Sequence, residues 1–352
     1  MVTSLEWERL SIARKSLLPG RGFFIRDTES DTPSDEELTE ATVIAIADRD
    51  ADGLTSAAIV RAVHGELTLV PAEPRSFQYH LETVAERIGD PDAIYILDLS
   101  IEDLEPVSEA ITTIVKASNK VCWYDHHEWN HETVEAVESS GIDLEIGDSD
   151  EVSTADVALT ALGLDEDEQW SDLVEVVRDH DLWLREDPRS DDLADYAHWS
   201  DSWEYIETVS EHGADLPDAV MADLTERRKE KQALIDAAVA RAELRSIGEF
   251  SIGITYGRCS QNEVAEAMRQ AGADAAVVIK PSGGVSLRGT KTFTRCHEVA
   301  ELLGGGGHPK AAGCKPDVYH DMLDYAHHWT TQGATARHAI IQAFATVIES
   351  RD

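Results

Sequence analysis

The chain has 352 residues, of which 42% are hydrophobic, so it is long enough for two domains and apolar enough to form a packed core. No apolar run approaches the roughly 18 residues that span a bilayer, and residues 1–18 lack the apolar core of a signal peptide. The four cysteines form no CxxC pair, which disfavours a disulfide framework or a thiolate zinc site. These features predict a cytoplasmic protein without membrane contact.

Acidic residues dominate the composition. The chain carries 69 Asp and Glu against 30 Lys and Arg, which gives a formal net charge of −39, and the acids are spread along its whole length. Arginine, with 21 residues, outnumbers lysine, with 9. Diffuse acidity with few lysines indicates a surface adapted to high salt, as in haloarchaeal proteins, and an ordinary acidic protein is the alternative. Such a charge repels nucleic acid, so an anionic substrate would need a local positive site.

Helices and strands are predicted to alternate over the first half of the chain. Residues 3–18 have the pattern of an amphipathic helix, and residues 27–40 have that of an acidic loop. Three short apolar runs predict strands, at 42–47, 93–97 and 120–124. Three helical patterns lie between and around them, at 54–64, 82–88 and 104–117. This alternation predicts a parallel sheet with helices on both faces, whose ligands bind at the carboxyl ends of the strands.

The second half of the chain changes character twice. Residues 187–245 are polar, rich in Trp and acids, and close with a long helical run over 216–242, which predicts a helical connector. A second α/β pattern then begins, with strands predicted at 251–255, 275–279 and 284–287 and a helix at 296–303. We therefore predict a catalytic domain over 1–186, the connector over 187–245 and a smaller α/β domain over 246–352.

Asp48, Asp50 and Asp52 follow the first predicted strand, and Gly53 then begins a turn into a helix. Three like charges this close repel one another unless a cation lies between them. Hard oxygen ligands suit Mg²⁺ or Mn²⁺. A calcium loop of the EF-hand type is disfavoured, because position 59 is Ile rather than Glu and a strand precedes the motif. A solvated acidic turn is the remaining alternative.

Further candidate ligands follow the other strands. Asp98 ends the second strand, where capping a helix is the alternative role. Asp125, His126 and His127 follow the third strand, and one imidazole could bind a metal ion while Asp125 holds a ring nitrogen. Two surface histidines are the alternative. Asp179, in the sequence RDHDLW at the end of an apolar helix, could complete a coordination shell.

A glycine run, Gly304 to Gly307, precedes His308. Its backbone N–H groups could approach an anion closely, and a following helix start would add its dipole. A flexible loop is the alternative. Between Lys280 and Lys315 the chain has six Lys or Arg and two acids, a local charge of +4. This reversal of sign is what a phosphate-binding surface requires.

Taken in order, these motifs resemble the DHH phosphoesterase superfamily. The matching patterns are D-x-D-x-D-G, the strand-end Asp, D-H-H, D-H-D-L-W, S-L-R and G-G-G-G-H-x-x-A-A-G, and they span residues from about 42 to 316. The resemblance implies an α/β fold, with an N-terminal parallel-sheet DHH domain and a smaller C-terminal DHH-associated domain joined by a helical connector. Family members include RecJ-type exonucleases, nanoRNases and cyclic dinucleotide phosphodiesterases, which typically use two Mn²⁺ ions. Mg²⁺ is the alternative ion.

The resemblance also implies roles for single residues. It gives the metal ligands as Asp48, Asp50, Asp52, Asp98, His126 and Asp179. Asp98 would bridge the two ions, and it counts with His126 and His127 as catalytic. The residues implied to contact substrate phosphate are Arg288, Gly305, Gly306, Gly307 and His308. Ile46 stands where nanoRNases have a histidine, which favours the RecJ-like branch.

The leading functional interpretation is a two-metal phosphodiesterase or exonuclease acting on single-stranded or short oligonucleotides. A small-nucleotide phosphoesterase for cyclic dinucleotides or pAp is the closest alternative, and a non-catalytic replication or repair scaffold is another. Three aromatic residues of the connector could stack bases, namely Trp199, Trp203 and Tyr205, although helix packing is the favoured role for them. The choice between RNA and DNA, the polarity and homodimer formation stay open.

Overall fold

The structure is a computed structural model and describes residues 33–257, 259–318 and 320–350. The amphipathic helix predicted at 3–18 and the first part of the acidic loop lie outside these residues. The chain divides into two compact units, with the described residues up to Leu224 in the first and those from Thr225 in the second. Within the described ranges, no helix combines the length and the apolarity that a bilayer crossing requires.

The first unit is built on a parallel sheet. Its strands are β1 (Val43–Asp48), β2 (Thr68–Ala72), β3 (Ala93–Leu97), β4 (Lys120–Asp125) and β5 (Asp143–Ile146). Their order in the sheet is β2-β1-β3-β4-β5, and every neighbouring pair is parallel. The sequence predicts β1, β3 and β4. It misses β2, which contains Pro71, and β5, which is short and mostly exposed, because neither has the pattern of a buried strand.

Helices cover this sheet. In chain order they are α1 (Asp35–Glu40), α2 (Ala51–His64), α3 (Phe77–Arg87), α4 (Ser108–Ala117), α5 (His131–Ser139), α6 (Thr154–Ala161), α7 (Glu168–Asp181), α8 (Arg189–Trp199) and α9 (Ser202–His212). A 3₁₀ turn, Glu105–Val107, precedes α4. The acidic segment that the sequence predicts as a loop ends in α1, because Ser34 and Glu37 form a reciprocal capping box at its start.

Both faces of the sheet are buried. Ala45 and Ala47 of β1 pack with α2 and α6 to α9, whereas Ile44 and Ile46 pack with α3 to α5 on the other face. The alternation follows from the period of two along a strand, and it explains the continuous apolar run in the sequence. Helices α8 and α9 lie in the predicted connector, and they contribute buried side chains to the core around α2.

The second unit begins within a long helix, α10 (Asp218–Ala240). Its strands are β6 (Glu243–Ile247), β7 (Phe250–Tyr256), β8 (Ala275–Ile279), β9 (Val285–Gly289), β10 (Gly306–His308) and β11 (Ala311–Cys314). The remaining helices are α11 (Gln261–Gln270), α12 (Cys296–Glu301), α13 (Met322–Thr330) and α14 (Ala334–Glu349). The sheet order is β10-β11-β9-β8-β7-β6, in which only β7 and β8 pair in parallel. The predicted fold class, a parallel-sheet α/β unit followed by a smaller α/β unit, is confirmed.

The glycine run differs from the sequence prediction. Instead of leading into a helix, it enters β10, which pairs with β11 in an antiparallel hairpin. The expected helix dipole is therefore absent from this place. The physical reason is close backbone approach, since a Cβ atom on Gly305 would lie 2.1 Å from the carbonyl oxygen of Gly313. Gly307 adopts a φ of +135°, which an L side chain rarely tolerates. Both glycines are thus required by the strand pairing itself.

Gly53 lets helix α2 pack closely on the end of β1, and its replacement tests how tightly the acidic motif is held. A Cβ atom there would lie 2.6 Å from the carbonyl oxygen of Asp48. We expect Gly53→Ala to lower the free energy of unfolding by about 1–3 kcal/mol, because backbone must move to make room. Gly284→Ala is the control, since its nearest neighbours would be 3.9 Å away. Equal stability of both variants in denaturant unfolding would contradict this packing.

Candidate functional site

Three neighbouring strands bring acidic and histidine side chains to one edge of the first sheet. Strand β1 ends at Asp48, β3 ends one residue before Asp98, and β4 ends at Asp125, directly before His126. Because β1, β3 and β4 are adjacent and parallel, their carboxyl ends lie side by side. The topology therefore gathers into one place residues that are up to 78 positions apart in the sequence.

The metal-binding atoms of these residues form three overlapping groups. In each group the ligand atoms all lie within 4.8 Å of one another, and the groups are Asp48, Asp50 and Asp98; Asp98, His126 and His127; and Asp52, His126 and Asp181. Asp98 and His126 each belong to two groups, so the three form one continuous cluster. Its carboxylate and imidazole donors are those that suit Mn²⁺ and Mg²⁺.

Helix N-termini hold two of the carboxylates. Asp50 caps α2 and accepts hydrogen bonds from the backbone N–H groups of Asp52 and Gly53, both at 3.1 Å. Asp52 accepts from the backbone N–H groups of Thr154 and Ala155, which begin α6, at 2.8 Å each. Thr154 and Ala155 give no signal in the sequence, because they lie about 100 residues from the carboxylate that they hold.

His126 shows most directly that a cation fits this cluster. Its Nδ1 lies 3.0 Å from the carbonyl oxygen of Val152, which can only accept, so Nδ1 carries the proton. In the neutral ring, Nε2 then presents a lone pair to Asp181 Oδ2 at 3.2 Å and to Asp98 Oδ1 at 3.7 Å. Asp181 Oδ2 is buried and has no hydrogen-bond partner. The lone pair of His126 Nε2 and the carboxylate oxygen of Asp181 both accept, and a cation bound to both would account for their separation of 3.2 Å.

Asp98 lies at the centre of the cluster. It is 2% exposed, and its Oδ1 accepts a hydrogen bond from Thr154 Oγ1 at 2.9 Å. Its backbone has a φ of +60°, in the left-handed region that non-glycine residues seldom adopt. Its N–H donates to the carbonyl oxygen of Tyr124 on β4 at 3.0 Å, which fixes that conformation. Strain of this kind is typical of functional sites.

The electrostatics of the cluster favour bound cations. Burial, followed by repulsion from Asp52 and Asp50, raises the pKa of Asp98 well above its usual range. Burial and the Asp181 and Asp50 carboxylates raise the pKa of Asp52 in the same way. Burial and the neighbouring Asp50 raise the pKa of Asp48 to about 7. These carboxylates therefore repel one another when ionised, and a divalent cation would remove that repulsion.

The second histidine of the motif has a different environment. His127 Nδ1 lies 2.8 Å from Asp125 Oδ1, and this hydrogen bond raises the pKa of His127. Asp125 is fully buried, and its Oδ2 accepts from the indole N–H of Trp129 at 2.6 Å. The side chain of His127 is 48% exposed. Asp125 therefore orients His127. The sequence predicts that Asp125 holds the metal-binding imidazole, but it does not say which of the two histidines that is.

The D-H-D motif contributes a different carboxylate from the one expected. Asp181, rather than Asp179, lies in the cluster with Asp52 and His126. Asp179 is buried, and its Oδ1 accepts a hydrogen bond from the backbone N–H of Glu186 at 2.7 Å. Asp179 thus tethers the chain after α7. The two acids are two positions apart at a helix end, so the sequence offers no signal to separate them.

In the second unit, the sheet register aligns the residues expected to contact phosphate. Arg288 on β9 is opposite Ala311 on β11, which is opposite His308 on β10. Residues in one row of a sheet share a face, so Arg288 and His308 lie on the same face about 10 Å apart. Arg288 donates to Asn262 Oδ1 and to the carbonyl oxygens of Leu287 and Ala312, which are all neutral. Its charge can therefore pair with an anionic ligand.

No protein-family model matches the sequence, and no curated protein matches it. Solved structures do match the fold. An exonuclease RecJ bound to manganese is 16% identical, with 94% of this chain and 96% of that chain covered and a TM-score of 0.56. RecJ from Thermus thermophilus in complex with Mn²⁺ is 17% identical over 96% of this chain and 57% of that chain, with a TM-score of 0.52.

A third structure is a smaller protein. The pGpG-specific phosphodiesterase PggH from Vibrio cholerae is 14% identical over 86% of this chain and 99% of that chain, with a TM-score of 0.50. Identities of this size establish the fold alone. The chain has the fold that the RecJ and PggH structures share.

Asp98→Asn removes one buried charge and keeps the side-chain shape. We expect the metal-free variant to melt at a higher temperature than metal-free wild type, because repulsion within the cluster falls. Wild type at a Mn²⁺ concentration of about 100 times Kd should gain about 2.7 kcal/mol of stability, and the variant should lose most of that gain. Thermal melts with and without Mn²⁺ measure both effects. Asp90→Asn removes an exposed acid as the control, and full stabilisation of Asp98→Asn by Mn²⁺ would contradict the site.

Asp179 and Asp181 provide a matched pair of substitutions. Asp181→Asn should weaken Mn²⁺ binding by about tenfold or more, because it removes an anionic oxygen from the cluster. Asp179→Asn should leave Mn²⁺ affinity unchanged, because its remaining carbonyl oxygen can still accept from Glu186. Calorimetric titration with Mn²⁺ compares the two variants. The opposite order of affinities would restore Asp179 as the ligand.

Proposed function

We propose that the protein is a metal-dependent phosphodiesterase that uses two Mn²⁺ ions, or Mg²⁺ in their place, to hydrolyse single-stranded or short oligonucleotides. The observation that carries this proposal is the continuous cluster of carboxylates around the buried residues Asp52, Asp98 and His126. Support comes from the fold, which is similar to an exonuclease RecJ bound to manganese and to a pGpG-specific phosphodiesterase.

The cluster divides into two sets of ligands. One ion would be held by Asp48, Asp50 and Asp98 and the other by Asp52, His126 and Asp181. Asp98 would be shared, because its Oδ1 also lies 3.7 Å from Nε2 of His126. When bound, two such ions lower the pKa of a water molecule and offset the charge that builds up on the phosphoryl oxygens.

The remaining polar residues would orient the substrate. His127 lines the cleft, and its hydrogen bond to Asp125 raises its pKa. In the protonated ring, Nε2 would donate to a phosphate oxygen. Arg288 and His308 of the second unit, together with the backbone of Gly306, would bind a further phosphate of the substrate. A Cβ atom on Gly306 would meet nothing within 4 Å, so this glycine leaves open space beside the chain. Gly305 and Gly307 support this arrangement through their strand pairing.

A small-nucleotide phosphoesterase is the second candidate. The observation that favours it is the likeness to PggH, a pGpG-specific phosphodiesterase, of which the match covers 99%. A dinucleotide occupies less surface than a long strand.

A panel of labelled substrates tests the proposal and separates the two candidates. Hydrolysis of single-stranded DNA or RNA, with Mn²⁺ in KCl buffer, would support the first candidate. Hydrolysis of dinucleotides, cyclic dinucleotides or pAp alone would support the second.

Arg288→Ala should lower kcat/KM by about 10- to 100-fold, because it removes a charged partner of phosphate. Lys291→Ala removes an exposed charge from the same basic segment and is the control. A complete lack of hydrolysis with either ion would contradict the proposal and favour a scaffold role.

A further inference from the structure

A cleft of about 620 Å³ extends from the metal-binding cluster. His126, His127 and Asp181 of the cluster line it, and so does Trp183. Trp183 follows Asp181 by two residues, so their Cα atoms lie at most about 7.6 Å apart. That distance is within the reach of a single nucleotide. The cleft therefore connects the cluster to a large aromatic side chain.

The indole of Trp183 is both exposed and held in place. The residue is 63% exposed, among the highest values for the large hydrophobic residues that the structure describes. The guanidinium carbon of Arg185 lies 4.4 Å from its ring centroid, and the ring of His180 lies 5.5 Å away with a tilt of 33°. These contacts orient the indole without burying it. An oriented, exposed aromatic face is what a stacking ligand needs.

Stability does not explain a tryptophan at this position. Helix α7 ends in a Schellman motif, in which Trp183 N–H donates to the carbonyl oxygen of His180 and Leu184 N–H donates to that of Asp179. Trp183 occupies the left-handed position of that motif, with a φ of +57°. Glycine is the usual residue there, because a side chain in this conformation is strained. The chain thus keeps an exposed aromatic residue where glycine would be more stable.

The charge of the cleft indicates which part of a substrate lies beside Trp183. The exposed acids Glu128 and Asp150 also line the cleft. Their carboxylates disfavour a phosphate anywhere except at the cations of the cluster. They can, however, accept hydrogen bonds from the amino groups of a base. Away from the cluster, a planar, neutral group therefore fits the cleft better than an anion.

We propose that Trp183 is a stacking platform for a nucleobase of the substrate, while the phosphodiester next to that base lies at the cluster around Asp98 and His126. This inference rests on the proposed function and names the residue that would recognise a base there. Stacking on an indole accepts every base, because each base has an aromatic face. Trp183 would therefore bind nucleotide substrates in general and discriminate against phosphodiesters that lack a base.

The aromatic residues that the sequence suggests for stacking have other roles. Tyr205 is fully buried, and its hydroxyl lies 3.0 Å from Thr55 Oγ1. Trp199 and Trp203 pack against the core of the first unit. Their favoured role, helix packing, is confirmed. The sequence shows Trp183 only as part of the DHDLW motif. It gives no signal that the indole is exposed, and so sequence analysis does not identify Trp183 as a stacking residue.

The test compares binding and turnover of two ligands with the same backbone. One is a short oligonucleotide, and the other has abasic residues at every position. Trp183→Gly should weaken binding and lower kcat/KM on the base-containing ligand by about 5- to 100-fold, with a much smaller effect on the abasic ligand. Trp183→Phe should restore most of the loss. Binding is measured by fluorescence anisotropy with phosphorothioate-linked versions of both ligands, which resist hydrolysis, so it does not depend on turnover.

Two controls make the result decisive. Trp183→Gly should melt at the temperature of wild type or above it, because glycine relieves the left-handed strain, so lost binding cannot be ascribed to unfolding. Tyr79→Ala removes an equally exposed aromatic residue that does not line the cleft, and it should change nothing. Unchanged binding of the base-containing ligand by Trp183→Gly, or an equal loss on both ligands, would overturn the inference. Failure of wild type to hydrolyse either ligand would instead contradict the proposed function.

Discussion

Repulsion among buried carboxylates is the constraint on which the rest of this structure depends. Asp52 and Asp98 are 1% and 2% exposed, and each faces further acids across a few ångströms. Burial and these neighbours raise the pKa of both residues, which means that the cluster by itself opposes its own ionisation. A protein can retain such an arrangement when a cation offsets the charge, and the cluster could hold metal ions.

The fold supports this cluster with groups that do not titrate. The N-termini of α2 and α6 donate backbone hydrogen bonds to Asp50 and Asp52, and a backbone carbonyl orients His126. The hydrogen-bonded turn that ends α7 positions two functional candidates. Asp181 lies in the cluster, and Trp183 lines the cleft. Metal binding and base recognition would therefore depend on the same helix end. In the second unit, the strand register places Arg288 in one row with His308.

The sequence predicts those parts of the fold and site that short-range patterns determine. Apolar runs identify β1, β3 and β4, and acids at their ends identify Asp48, Asp98 and the D-H-H motif. Long-range geometry decides the rest. The exchange of Asp179 for Asp181 depends on how α7 ends, and the hairpin at the glycine run depends on contact with β11. The high-salt adaptation that the charge of −39 indicates stays a prediction, as do the domain boundaries at 186 and 245.

The position of bound ions tests the central claim most directly. Crystals of the protein soaked in Mn²⁺ can be measured at the manganese absorption edge, where anomalous scattering locates each ion. We expect two peaks, one within reach of Asp48, Asp50 and Asp98 and the other within reach of Asp52, His126 and Asp181. Ligand distances of about 2.0–2.2 Å to Asp98 from both peaks would establish it as the shared ligand. A cluster without a peak, or peaks that leave Asp98 without an ion, would contradict the account.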